Sequence, residues 1–178
     1  MQQWHLGEVR LESVNPEHLS PILHKLRECG CKIKEEKSAI TIDASKKLIG
    51  TEIKTMPYPG FPTDLQPLFS CLLTTCKGTS IITENIFENR FKFMQELKRM
   101  GAKFNVEGKT LVIKGVRKLH GATVESTDLR GGAALVIAGV CAKGITKVNK
   151  VEHILRGYEN LDYKLNSLGA NIIREEDI

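Results

Sequence analysis

The feature that most constrains this chain is that it repeats itself. Three segments, "HLSPILHKLRECGCKI" (18–33), "RFKFMQELKRMGAKF" (90–104) and "NLDYKLNSLGANI" (160–172), share one pattern. Each has apolar residues at helical spacing, a glycine stop at Gly30, Gly101 or Gly169, and a short strand-like tail. The glycines stand 71 and 68 residues apart. Each suits the position just past a helix, where a left-handed backbone costs glycine little. A second series interleaves with the first: "IKTMPYPGFPTDLQPLFSCLLTTCKGTSII" (53–82) matches "ATVESTDLRGGAALVIAGVCAKGITKV" (122–148). Both run strand, "TDL", apolar helix, "KG", strand, and the two aspartates, Asp64 and Asp128, lie 64 residues apart.

The implied period is strand–helix–strand–helix–strand–strand, complete from Ile53 to Gly115. Its last two strands, "AKFNVE" and "KTLVIKG", alternate and meet at a tight turn predicted at Glu107–Gly108, with an earlier copy in "CKIKEE" and "SAITID". The first copy enters partway, at "EVRLES", and the third stops after "ANIIREEDI" without its last hairpin strand. The expected class is α+β, one domain over 1–178, with units at about 7–50 (partial), 51–115 (complete) and 116–178 (partial). It reads as a piece of a longer repeating array.

Bulk properties narrow the function. The 178 residues suffice for a domain with a real core, and 41% hydrophobic with 26% charged fits a soluble globular chain. No apolar run reaches the roughly 20 residues that span a bilayer, and the N-terminus shows no signal-peptide pattern. Cys29, Cys31, Cys71, Cys76 and Cys141 form no C-x-x-C pair, which favours buried free thiols in a reducing compartment over a zinc site. The net charge of +5 allows anionic ligands. The basic residues are scattered and aromatics make up 6%, which argues against nucleic acid; "KGVRKLHG" (114–121) is the densest patch.

The two "TDL" corners are the candidate site. Thr63 and Thr127 occupy natural helix N-cap positions, Thr63 with Gln66 fits a capping box, and an aspartate one residue on is favoured by the helix dipole. That is a complete structural explanation for either corner taken alone. The first corner, however, carries the rigid ramp "PYPGFP", in which Pro57, Pro59 and Pro62 each fix a φ angle and Gly60 supplies the bend. Rigid irregular backbone suits the support of a functional carboxylate. The second corner adds Arg130 and "GGAA", small residues that let a ligand approach a helix start. A third corner offers Arg156 and Gly157, with a surface ion pair to Glu159 or Asp162 as the plainer reading of Arg156 and a partly buried structural role for His153. Ile86 and Phe87, in "TENIFENRF", fit either core or a wall against a flat ring.

"PYPGFPTDLQ", "ITENIFENRF", "STDLR" and "HILRGYENLDYKLNSLGANI" resemble the UDP-N-acetylglucosamine enolpyruvyl transferases over nearly the whole chain, least at residues 1–15. The shikimate-pathway sister enzyme shares the fold but not "PGFPTDLQ". The resemblance implies transfer of the enolpyruvyl group of phosphoenolpyruvate to the 3-hydroxyl of UDP-N-acetylglucosamine. Phosphate is released in this bacterial, cytoplasmic step of peptidoglycan synthesis, with no metal or organic cofactor. It implies a fold of two similar domains, each of three β-α-β-α-β-β units about a pseudo-threefold axis, an inside-out barrel with substrates in the cleft between domains.

Carried over by position, Asp64 would contact the sugar 3-hydroxyl and serve as base, a role the chemistry requires. Ile86, Phe87 and Arg90 would line the substrate site. Asp128, Arg130 and Arg156 would surround phosphoenolpyruvate, with Asp128 and Arg156 taking part in catalysis. "RGGAA" differs from the family's run after Arg130 only in which small residues it uses. The family's reactive-cysteine loop, the target of the epoxide antibiotic fosfomycin, belongs to the other domain, and none of the five cysteines here has its context. The chain alone is therefore expected to be inactive and to self-associate through an open sheet edge, or to cover that edge with residues 1–15. A non-catalytic nucleotide-sugar-binding module and, behind it, a nucleic-acid-binding module are the alternatives from other classes.

Overall fold

The computed structural model describes residues 7–175. The central unit holds the full set of elements: three strands, β1 (Glu8–Glu12), β2 (Lys32–Glu36) and β3 (Ala39–Asp43), precede it, and it opens with β4 (Glu52–Lys54), α2 (Gln66–Leu73) and β5 (Thr79–Thr83). It closes with α3 (Met94–Arg99), β6 (Lys103–Glu107) and β7 (Thr110–Lys114). Its sheet runs β4-β5-β7-β6, with β4 parallel to β5 and the other pairs antiparallel. Period-two alternation sets the inner face: Ile53, Ser80, Ile82, Leu111 and Ile113 are buried while their strand neighbours face out.

The earlier elements repeat part of this sheet residue for residue. β1 (Glu8–Glu12), α1 (Ser20–Glu28), β2 (Lys32–Glu36) and β3 (Ala39–Asp43) give the order β1-β3-β2, which matches β5-β7-β6. Asp43 faces Glu8 on one side and Lys32 on the other, as Lys114 faces Thr79 and Lys103. The later elements are β8 (Thr123–Glu125), α4 (Leu129–Cys141), β9 (Lys147–Asn149), α5 (Glu152–Leu155) and α6 (Leu161–Ser167). β8 and β9 pair in parallel like β4 and β5.

The glycine stops are as expected. Gly30, Gly101 and Gly169 have φ of 101°, 93° and 95°. In each copy the amide after the glycine reaches back to a leucine carbonyl: Cys31 to Leu26, Ala102 to Leu97, and Ala170 to Leu165, all at 3.0 Å. This is a six-to-one helix closure, made the same way in all three copies.

The helices α2 and α4 pack on each other inside, with the sheets outside. The small residues at the start of α4 let it approach other neighbours closely. A Cβ on Gly131 would stand 2.8 Å from the Phe93 Cβ, and one on Gly132 would stand 2.1 Å from the Ser126 hydroxyl. "GGAA" is thus buried against Phe93, just before α3, and Ser126, just after β8, which corrects its reading as an approach for a ligand. Two crossing points are equally close: a Cβ on Gly50 or Gly121 would lie 2.5 or 2.2 Å from the carbonyl oxygen of Thr79 or Ile145.

Several expectations need correction. The hairpin turn is Gly108–Lys109, one residue later than expected, because Gly108 takes the positive φ of 57°. The helix of the central 90–104 segment is short, since Asn89 has φ 54° and residues 89–93 form turns that sink Phe91 and Phe93 into the core. Residues 170–175 form no strand, and 176–178 lie outside the described residues. Within 1–15, residues 8–12 are not a cover over an edge but β1 itself, bonded to β3; residues 1–6 lie outside the described range. All five cysteines are free, four of them buried and Cys141 half-buried. No described helix is long and apolar enough to cross a membrane.

Candidate active site

The proline-rich ramp is a closed loop. Met56 N–H bonds to the Phe61 carbonyl at 3.0 Å, Gly60 N–H to that of Pro57 at 2.8 Å, and Phe61 is buried edge-on against Phe69 with ring centroids 5.1 Å apart. A Cβ on Gly60 would lie 2.4 Å from the Met56 Cβ, so the bend requires glycine. The loop delivers the chain into a single 3-10 turn, Thr63–Leu65, from which Asp64 projects with its side chain 54% exposed.

The two "TDL" corners do not fold alike. Asp128, with φ −166° and ψ 173°, is the N-cap of α4, and its Oδ1 accepts from the amides of Arg130 at 3.0 Å and Gly131 at 2.9 Å. The corresponding amides for Asp64 belong to residues 66 and 67, and Pro67 has none. Gln66 N–H turns instead to the Thr63 carbonyl. Proline thereby frees the Asp64 carboxylate from capping. Neither threonine caps: Thr63 Oγ1 donates to Glu84 at 3.0 Å and Thr127 Oγ1 to Asp128 at 3.1 Å, while Gln66 bonds to Ser70, so the capping box does not form.

Two guanidinium groups hold Asp64. Arg90 Nη2 donates to Oδ1 at 3.2 Å and Arg130 Nη2 to Oδ2 at 2.9 Å. Arg90 lies 5.2 Å above the Phe87 ring centroid and Arg130 lies 5.4 Å from that of Tyr158. Contact with Tyr158 first, and pairing with Asp64 second, raise the Arg130 pKa above its ordinary value against the opposing effect of burial. Arg90 Nε is buried without a hydrogen-bond partner. Ile86 and Asp64 line one open cleft together with Met56, Pro57 and Tyr58. Ile86 is 39% and Phe87 52% exposed, so both belong to a surface wall and not to the core.

The remaining candidates separate. Arg156, just past α5, contacts His153 Nδ1 at 2.8 Å and not Glu159 or Asp162, which corrects the ion-pair reading. It lines its own open depression with Tyr158 and Arg174. Tyr158 joins the two places, since it also lies under Arg130. The structure thus brings Asp64, Arg90 and Arg130 into direct contact, sets Ile86 and Phe87 beside them, turns Asp128 to the helix cap, and leaves Arg156 beyond Tyr158. Sequence reasoning missed Tyr158 and Glu84. Tyr158 carried no signal beyond lying in "RGYENL". Glu84 is buried, and its position opposite Lys150 in the repeat was the available clue.

A surface carboxylate between two guanidiniums, walled by apolar side chains, suits a ligand that is both anionic and hydroxylated. Comparison with known proteins agrees. The family profile of EPSP synthase (3-phosphoshikimate 1-carboxyvinyltransferase) matches residues 5–165. The chain belongs to this carboxyvinyltransferase family. Within it, the chain is 55% identical over 168 residues to a UDP-N-acetylglucosamine 1-carboxyvinyltransferase of Desulfofundulus thermocisternus, covering 94% of this chain and 69% of that protein. It is 49% identical to one of Symbiobacterium thermophilum over 95% of this chain and 40% of that protein. The crystal structure of the enolpyruvyl transferase NikO from Streptomyces tendae superposes with a TM-score of 0.84 at 28% identity, over 93% of this chain and 39% of that one. EPSP synthase from Acinetobacter baumannii, at 19% identity and a TM-score of 0.71 over 97% of this chain and 41% of that one, shares the carboxyvinyltransferase fold. The fold is therefore the α+β enolpyruvyl transferase domain, and the chain spans about two fifths of most of these relatives.

Proposed function

We propose that this chain is one domain of a bacterial UDP-N-acetylglucosamine 1-carboxyvinyltransferase, carrying the half of the active site that takes the proton from the sugar. The observation that supports it most is Asp64, uncapped, exposed and bracketed by Arg90 and Arg130. In the proposed reaction the 3-hydroxyl of UDP-N-acetylglucosamine adds to the phosphate-bearing carbon of phosphoenolpyruvate while the double-bond electrons take up a proton from solvent at the methylene carbon. Loss of a methylene proton together with the phosphate then restores the double bond. Asp64 accepts the hydroxyl proton. Arg130 and Arg156 offset the phosphate and carboxylate charges of phosphoenolpyruvate. Arg90, Ile86 and Phe87 form the wall for the nucleotide sugar. Asp128 serves the reaction by fixing the first turn of α4, and with it Arg130.

On this reading the substrate cleft needs a second domain, supplied by the additional length that the relatives have, and the 178-residue chain alone releases no product. The same reading makes the protein a cytoplasmic enzyme of peptidoglycan synthesis. It also puts the cysteine that reacts with fosfomycin on the other domain. The test is phosphate release by the full-length reading frame. Release is expected from phosphoenolpyruvate with UDP-N-acetylglucosamine and from neither alone. Release with shikimate 3-phosphate in place of the nucleotide sugar overturns the assignment.

A further inference from the structure

Glu84 directly follows β5 and is 1% exposed. Its Oε1 accepts from Thr55 Oγ1 at 2.7 Å, from Ile86 N–H at 2.8 Å and from Phe87 N–H at 3.1 Å. Its Oε2 accepts from Thr63 Oγ1 at 3.0 Å. All four donors are neutral. A carboxylate taken out of water is expensive unless donors surround it, so the chain has built a dedicated socket.

The repeat shows that the fold does not need that socket. Thr55 N–H bonds to the Thr83 carbonyl at 3.0 Å, and Ser126 N–H bonds to that of Asn149 at 2.9 Å. Thr55 therefore corresponds to Ser126, and Glu84 to Lys150. The strand pairs at these two places have the same parallel register. Yet Lys150 reaches outward to Glu125 at 2.7 Å, and Ser126 Oγ bonds to the Asp128 carbonyl at 3.2 Å. Among the described residues a buried carboxylate occurs only at the corner that carries the exposed aspartate.

The structure assigns Glu84 as a positioning residue that holds Asp64 and the Ile86–Phe87 wall in fixed relation to each other. The contacts close a ring: Glu84 Oε2 fixes Thr63, next to Asp64; Asp64 Oδ1 accepts from Arg90; Arg90 lies on Phe87; and the Phe87 amide returns to Glu84 Oε1. The catalytic consequence rests on the proposed role of Asp64, whereas the geometric claim does not.

The test has two arms. In the full-length protein, Glu84→Gln keeps an acceptor for Thr55 and the two amides but presents an NH2 group to Thr63. It is expected to lower kcat by about 10-fold or more while the KM for UDP-N-acetylglucosamine stays within about twofold, since small misplacements of a reacting group are costly. Thr63→Val should give a similar loss, and the double variant should be no worse than the poorer single, because both break one contact. Unchanged kcat in Glu84→Gln, or fully additive losses, overturns the assignment. In the 178-residue chain, amide hydrogen exchange is read for Glu84→Ala. Faster exchange is expected at Ile86 and Phe87 while Leu111 and Ile113 in β7 keep their protection. Unchanged exchange at 86 and 87, or equal loss throughout the sheet, overturns it. A wild-type protein without turnover would instead count against the proposed reaction, and the exchange arm would still decide the position.

Discussion

Arg130 Nη2 donates to Asp64 Oδ2 at 2.9 Å, across 66 residues of chain. This contact joins the two "TDL" corners of successive units, so the repeat that builds the fold also builds the site. The two aspartates hold equivalent places in the repeat. Pro67 and Gly131 give them opposite fates: one corner lacks an amide to cap, and the other has it.

Arg130 is expected to matter by its geometry as well as its charge. Arg130→Ala in the full-length protein should lower kcat/KM for phosphoenolpyruvate by about 10², the scale on which one positioned donor counts in a charged transition state. Arg130→Lys should restore only part of it, since a lysine cannot both lie against Tyr158 and reach Asp64 with a planar fork. Steady-state kinetics with full recovery in the lysine variant would show that charge alone suffices.

Gly121 should resist any side chain. Its Cβ would lie 2.2 Å from the Ile145 carbonyl oxygen, so Gly121→Ala should destabilise the chain by about 1–3 kcal/mol, as overpacking does. Gly7→Ala, with open space around it, should change stability by less than about 0.5 kcal/mol. Urea unfolding of the two variants side by side checks the contrast.

Acid should loosen the first sheet through Glu36. Hydrogen bonds from Arg10, then from Lys34, pull its pKa down to about 2. Arg10 Nη1 and Nη2 grip the carboxylate at 3.1 and 2.9 Å, tying β1 to β2 across β3. A carboxylate whose pKa is depressed on folding stabilises above its unfolded value, and that contribution is lost as pH falls from the ordinary 4.5 toward 2. Glu36→Gln should therefore unfold with a shallower pH dependence than wild type between those values. Parallel slopes in thermal melts would contradict this. The pair is exposed, so the effect should be small and weaken with salt.

The chain alone should self-associate. Among the described residues no strand stands beside β9 in the place that β7 takes beside β5, and large apolar side chains are exposed, with Ile145 at 91% two residues before β9 and Tyr163 at 73% on α6. Unpaired strand edges and exposed apolar groups both invite association. Sedimentation should show a concentration-dependent mass above 19.9 kDa; a monodisperse monomer at every concentration would contradict it.

The parts of the fold that local chemistry dictates were legible in the sequence. Gly30, Gly101 and Gly169 marked three helix ends because only their backbone conformation was at issue. The strands followed from alternation. What was not legible depended on distant partners. Thr63 looks like a helix cap until Glu84, 21 residues away, takes its hydroxyl. Glu84 looks like a surface charge until the loop closes over it. "GGAA" resembles an approach to a ligand until Phe93 and Ser126 fill the space. At the proposed site, Asp64 and Arg130 each stood out as candidates, but their contact was not legible, because it needs two units packed together.

The most direct test of the account is the turnover of Asp64→Asn in the full-length protein, measured at saturating phosphoenolpyruvate and UDP-N-acetylglucosamine. Asparagine keeps the shape of the side chain and can still accept from one guanidinium, but it cannot take the proton. Turnover should fall by about 10² or more, close to the loss in Asp64→Ala, as for removal of a general base. Near-normal turnover in the asparagine variant would contradict the account and make Asp64 a ligand for the sugar instead of its base.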